Sequence, residues 1–146
     1  METKALRIRN AVFWALVIIF AALVASVGMV NRLRFWEYKR LLLAVIAVVF
    51  FALAIALLVL TLKLKEHGLR KVFFLLTGAS AVGILICVIL HNLVYVLFFG
   101  GTQGDEAVFF ILAVMVCPAL FAVGMLGSIV LLISDRLRKK EISGSI

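Results

Sequence analysis

The sequence predicts an all-α membrane protein, an antiparallel up-down-up-down bundle of four transmembrane helices. Three observations predict it. Of the 146 residues, 66% are hydrophobic and 15% charged, with a mean hydropathy of +1.29, whereas soluble domains run at about half apolar and a quarter charged. Four stretches without Asp, Glu, Lys or Arg, at 11–30, 41–62, 72–99 and 107–134, each reach the roughly 20 residues that a helix needs to cross about 30 Å of hydrocarbon. The connectors between them are short, which makes successive helices antiparallel neighbours. Helices are required because lipid cannot satisfy a free backbone N–H or C=O. With one proline, ten glycines and two cysteines, neither a linker-rich chain nor a disulfide scaffold is open to this sequence. Residues 1–146 are expected to form a single domain.

The first stretch follows Lys4, Arg7 and Arg9 and ends near the small residues Ala25 and Ser26, a pattern shared with cleavable leaders. Its apolar run is longer than the roughly 7–15 residues of a leader's core, so a retained first helix is expected. The connector at 31–40 reads NRLRFWEYKR. Its aromatic rings suit the headgroup level, and Arg32, Arg34, Trp36, Lys39 and Arg40 are the candidates for lipid-headgroup contact, with Asp105 and Glu106 of the third connector as partial counter-charge.

The second stretch leads into the connector at 61–71, which carries Lys63, Lys65, Arg70 and Lys71. Together with the N-terminus and the tail residues Arg136, Arg138, Lys139 and Lys140, these make eleven basic residues on one side of an even-span bundle. The other side carries four, all in the first connector. Both termini are therefore expected in the cytoplasm. The net charge of +8 reads as topogenesis and attraction to anionic headgroups; nucleic acid is not an expected partner, because the charge is divided between two membrane faces.

The third and fourth stretches would reach roughly 42 Å as helices, so they tilt or extend beyond the hydrocarbon. None of the four stretches holds a charged residue, which disfavours proton-coupled carriers and ion pumps, since these keep an ionisable group in the bilayer. The titratable residues within the stretches are His91, Tyr95 and the two cysteines. Ser80, Ile84, Cys87, His91 and Tyr95 follow one another at helical steps and are expected to form a stripe pointing into the bundle, with His91 buried and neutral. On a common scale Cys87, Cys117 and His91 lie at about 22, 25 and 28 Å from the basic end, so all three can meet. They supply three ligands where a closed zinc site wants four. No metal and no cofactor are expected, and Cys87, His91, Tyr95 and Cys117 stand as candidates should a haem or quinone bind. The alternative is structural, with His91 and Asn92 bonding to another helix and the cysteines packing as small apolar residues.

Small residues point to helix packing. Gly78 and Gly83 on the third helix, and Ala113, Cys117, Gly124 and Ser128 on the fourth, mark these two as the core pair, with Ala21/Ala25 and Ala52/Ala56 as lesser ridges. Pro118 removes a backbone donor, so a kink beside Cys117 is expected, with the Val114 carbonyl left unpaired unless a neighbour serves it.

The runs LRKVFFLLTGAS, LHNLVY and GDEAVFFILAVMVCP resemble a set of small uncharacterised prokaryotic four-helix membrane proteins that share LRKxFFLLTGAS and LHNxxY in the third helix. The resemblance covers residues 66 to about 134. It implies a multi-pass protein of the prokaryotic inner membrane and carries no assigned activity. The function expected from the sequence is that of a non-enzymatic integral membrane protein, an oligomeric or accessory subunit acting through helix packing on itself or on a larger membrane complex. The alternatives are a small transporter or channel, and a redox anchor holding haem or quinone near His91.

Overall fold

A computed structural model describes residues 2–30, 36–66, 68–99 and 107–144. They form α1 (Glu2–Val30), α2 (Trp36–Lys63), α3 (Leu69–Phe99), α4 (Ala107–Ile111), a π-helical turn (Leu112–Val116) and α5 (Cys117–Gly144), with no strand among the described residues. Four helical segments, Lys4–Ser26, Leu41–Lys63, Leu69–Phe98 and Ala107–Arg138, are long and apolar enough to cross a membrane. The chain is built as a multi-pass membrane protein; α4, the π turn and α5 together make its fourth span.

The helices outrun the apolar stretches. Glu2–Asn10 contains neither Gly nor Pro, and an established helix propagates readily through such residues, so α1 takes in the basic N-terminus. In the same way α5 runs on through the basic tail to Gly144. The connector expected at 61–71 shrinks to 64–68. It reverses the chain at Gly68, whose φ of +89° is open to glycine at little cost. An added Cβ there meets nothing within 4 Å. Gly68→Ala is therefore expected to cost about 1–2 kcal/mol through backbone strain alone, with Gly68→Asn milder. Thermal unfolding in detergent checks this, and equal midpoints for the alanine variant and the wild type would show the turn to be unstrained.

The packing follows the chain. The contact between α3 and α5 is the most extensive, and the α1–α2 and α2–α3 contacts come next. The seam between α1 and α5 is closed at mid-height by Phe20 and Phe121, with ring centroids 4.5 Å apart. Across the diagonal, Phe13 meets Phe74 edge-on at 5.1 Å.

Buried side chains gather in one half of the bundle: Arg9, Phe13 and Leu16 on α1; Phe50, Ala54, Leu57 and Thr61 on α2; Phe74, Thr77, Ser80 and Ala81 on α3; Phe121, Ser128 and Leu132 on α5. This is the end that carries the basic residues. In the far half, Ala113 is the one buried side chain among those described. Ala21, Ala25 and Ala52, expected as contact ridges, face outward; aromatic residues such as Phe20 and Phe50 make the α1–α2 contact instead.

Pro118 is accommodated by the π turn. The N–H of Cys117 donates to the carbonyl of Leu112, five residues back. Widening the helix by one residue carries the preceding carbonyls away from the proline ring, so the expected disturbance beside Cys117 takes the form of a π turn.

Candidate functional site

The polar chemistry of the bundle lies at its basic end. Arg9 shares a helical face with Phe13 and Leu16, at steps of four and three, and this face turns inward. Its side chain is 0% exposed. One guanidinium nitrogen, Nη1, donates to Oε2 of Glu66, and Nη2 donates to Oδ1 of Asn10 at 3.1 Å. The guanidinium carbon lies 4.0 Å from the centroid of the Phe74 ring, a cation–π arrangement.

Glu66 belongs to the connector after α2, and its other oxygen is 3.9 Å from Nε of Arg70. Arg70, on the first turn of α3, donates through Nη1 to Oδ2 of Asp135 on α5 at 2.9 Å. Arg9, Glu66, Arg70 and Asp135 thus form an alternating chain of charge linking α1, the α2–α3 connector, α3 and α5. Lys71 donates to the carbonyl of Leu64 at 3.4 Å, serving the end of α2. Beside this chain a cleft of about 870 Å³ opens between the first turns of α1 and the last turns of α5, with Arg70 of α3 also on its lining.

The far-half cluster is only partly assembled. Cys87 and Cys117 are free, half-buried thiols. His91 is half-buried and lies against Phe110, ring centroids 5.5 Å apart. Among the described residues no three His, Cys, Asp or Glu side chains converge in a group that could hold a metal. The inward stripe expected on α3 does not hold along its length: Ser80 is buried, Cys87 and His91 are half-buried, and Tyr95 is 42% exposed. At 100° per residue, the 15 steps from Ser80 to Tyr95 rotate the stripe by about 60°, enough to carry its end off the inward face. Asn92 is exposed and donates to the Val88 carbonyl of its own helix at 2.7 Å rather than to a neighbour.

The small residues sit at three different contacts. A Cβ on Gly78 would lie 2.9 Å from Leu58 Cγ of α2, one on Gly83 would lie 3.1 Å from Cys117 Sγ, and one on Gly124 would lie 2.7 Å from the Thr77 backbone nitrogen. Ala113 and Ser128 are buried, and the Ser128 hydroxyl has no partner among the described residues. Gly127, outside the expected set, is the tightest approach among the described glycines, with a Cβ position 2.4 Å from the Phe73 ring. In the first connector, Arg32 and Arg34 lie outside the described residues, as do Asp105 and Glu106, while Trp36, Lys39 and Arg40 belong to the first turns of α2.

No family model, no curated protein and no solved structure matches this chain. Its reading therefore rests on its own chemistry.

Sequence reasoning missed all four members of the alternating charge chain as a site: Arg9 and Arg70 count there only as topogenic cations, and Glu66 and Asp135 are not singled out. Arg9 falls just ahead of the first uncharged stretch and reads as one more topogenic cation. The signal that could have found it is its register with Phe13 and Leu16. Glu66 is separated from Arg9 by the whole α1–α2 hairpin, and nothing in the local sequence pairs them. Chemically, the alternating chain links four segments; its constraint lies mainly in the Arg9–Glu66 pair, whose arginine is buried, while the exposed Arg70–Asp135 pair adds little.

Proposed function

We propose that the chain is a non-enzymatic integral membrane protein that works as an oligomeric or accessory subunit through helix packing, in a prokaryotic cell membrane and with both termini cytoplasmic. The location rests on the resemblance of the third and fourth helices, and the orientation on the excess of basic residues at one end. The observation that supports the subunit role is the uneven packing. The basic half holds nearly all of the described buried side chains, whereas the far half of α3 turns Asn92 and Tyr95 outward. A carboxamide facing lipid has unmet hydrogen-bonding capacity, which a second copy of the chain can satisfy; interhelical bonds of this kind are worth up to about 1–2 kcal/mol.

Native mass spectrometry of protein released from lipid nanodiscs tests the reading. A discrete oligomer is expected, and Asn92→Leu should weaken it about five- to thirtyfold, the equivalent of about 1–2 kcal/mol. A wild-type protein that stays monomeric and free of protein partners at every concentration would sink the proposal. Orientation is checked separately by a single cysteine at Ser143 on a cysteine-free background, which is expected to react with an impermeant probe only from the cytoplasmic face.

A further inference from the structure

We propose that the cleft between α1 and α5 at the basic end binds one anionic phospholipid, its phosphate held by arginines and its acyl chain lying along the α1–α5 seam. The charge comes first. Among the described residues every cation lining the cleft is an arginine, namely Arg7, Arg70, Arg136 and Arg138, although Lys4, Lys63, Lys65 and Lys71 sit at the same end of the bundle. Guanidinium groups present a planar fork that meets phosphate oxygens two at a time, which an ammonium cannot do. The one carboxylate among the described residues of the lining is Asp135, and it is engaged by Arg70. Among the described residues no carboxylate pairs with Arg7, Arg136 or Arg138. Arg70 is itself held between Glu66 and Asp135, so the surplus positive charge of the cleft rests on Arg7, Arg136 and Arg138.

The apolar part of the lining separates a lipid from a soluble anion. On α1 the cleft passes from Arg7 and Asn10 near the helix start to Ala11 and Trp14 one turn deeper. On α5 it passes from Arg136 and Arg138 near the helix end to Leu132 and Ile133 one turn deeper. Leu6 beside Arg7 is the one apolar residue at the mouth among the described residues of the lining; otherwise both walls are polar or charged there and hydrocarbon below, the polarity profile of a molecule with an anionic head and an apolar tail. The volume of 870 Å³ falls within the roughly 300–1,000 Å³ of small-molecule sites. The seam is also the least closed edge of the bundle, and the Phe20–Phe121 junction floors it at mid-height, so an acyl chain enters sideways from the bilayer. This inference does not depend on the oligomeric state.

The test uses the full chain in neutral detergent, titrated with phosphatidylglycerol, phosphatidylcholine or inorganic phosphate, with lipid adducts read by native mass spectrometry and Trp14 fluorescence read in a Trp36→Phe background. One phosphatidylglycerol is expected to bind at least tenfold more tightly than phosphatidylcholine, without displacement by millimolar phosphate. Arg7→Gln combined with Arg136→Gln should weaken it tenfold or more, while Lys65→Gln, at the same end but off the cleft, should leave it within twofold. Arg7 and Arg136 are exposed, and neither has an ion-pair partner among the described residues, so the double variant is expected to keep the wild-type unfolding midpoint; should it not fold, Arg138→Gln alone carries the comparison. Equal affinity for the two lipids, equal loss with Lys65→Gln, or competition by free phosphate would each overturn the assignment, the last by making this a soluble-anion site.

Discussion

Gly124→Leu is expected to break the α3–α5 contact, lowering stability by more than about 3 kcal/mol or leaving no folded bundle in detergent. Even the first carbon of a side chain has no room: an added Cβ would stand 2.7 Å from both the backbone nitrogen and Oγ1 of Thr77 and 3.1 Å from the carbonyl oxygen of Phe73. Two of those atoms are backbone within a helix and cannot turn aside. Glycine to alanine gains about 1 kcal/mol of helix propensity, so the clash must exceed that before any loss appears. Forced overpacking costs about 1–3 kcal/mol for a methyl-sized excess and more for a larger one, which makes Gly124→Ala net destabilising and Gly124→Leu severe. In a bilayer, where van der Waals packing rather than water exclusion holds helices together, losing close approach removes the main source of attraction. Val123→Leu is the control, because Val123 is exposed and its replacement should change stability by less than about 0.5 kcal/mol. Unfolding of both variants in the same detergent decides the matter: equal midpoints would discard this interface.

The same glycine shows what the sequence could and could not convey. Four apolar runs separated by charges can be read without a structure, because length against bilayer thickness is a one-dimensional test. Gly124 and Ser128 stand out because small residues at helical spacing are conspicuous among leucines and valines. Gly127 follows Gly124 at a step of three, off the row of four- and seven-residue steps, yet among the described glycines its Cβ position is the most crowded, because which face of α5 meets Phe73 depends on the crossing of two helices. The stripe from Ser80 to Tyr95 failed at its far end for a related reason: a face followed over four turns drifts around the helix, and the bundle packs tightly only near Ser80. Arg9 was passed over because hydropathy windows stop at charges. A buried charge is visible only once its counter-ion is placed beside it, and Glu66 arrives from the far end of the α1–α2 hairpin.

That pairing carries the second large effect. Glu66→Gln is expected to cost about 3 kcal/mol or more, and Arg9→Met distinctly less, although both remove the same ion pair. The asymmetry follows from where each charge is left. Arg9 is 0% exposed and its guanidinium stays protonated at any ordinary pH, so without Glu66 it remains a buried cation compensated only by Asn10 and the face of Phe74. Stranding one member of a buried pair costs about 3–5 kcal/mol, whereas replacing buried charge with an apolar side chain of similar volume is often close to neutral. Glu66 without Arg9 is better placed, since its side chain is 20% exposed and lies near Arg70. The double variant Arg9→Met with Glu66→Gln should therefore recover most of the loss seen in Glu66→Gln alone, giving a coupling of about 2 kcal/mol. Being buried, the pair should also hold in 0.5 M salt, where an exposed pair is screened to nothing measurable (roughly 1 kcal/mol at most before screening). Unfolding midpoints of the four proteins in one detergent, at low and high salt, supply the test. If Arg9→Met proves as damaging as Glu66→Gln and the double variant is no better, the arginine stabilises by its bulk and its contact with Phe74, and the charge pair is incidental.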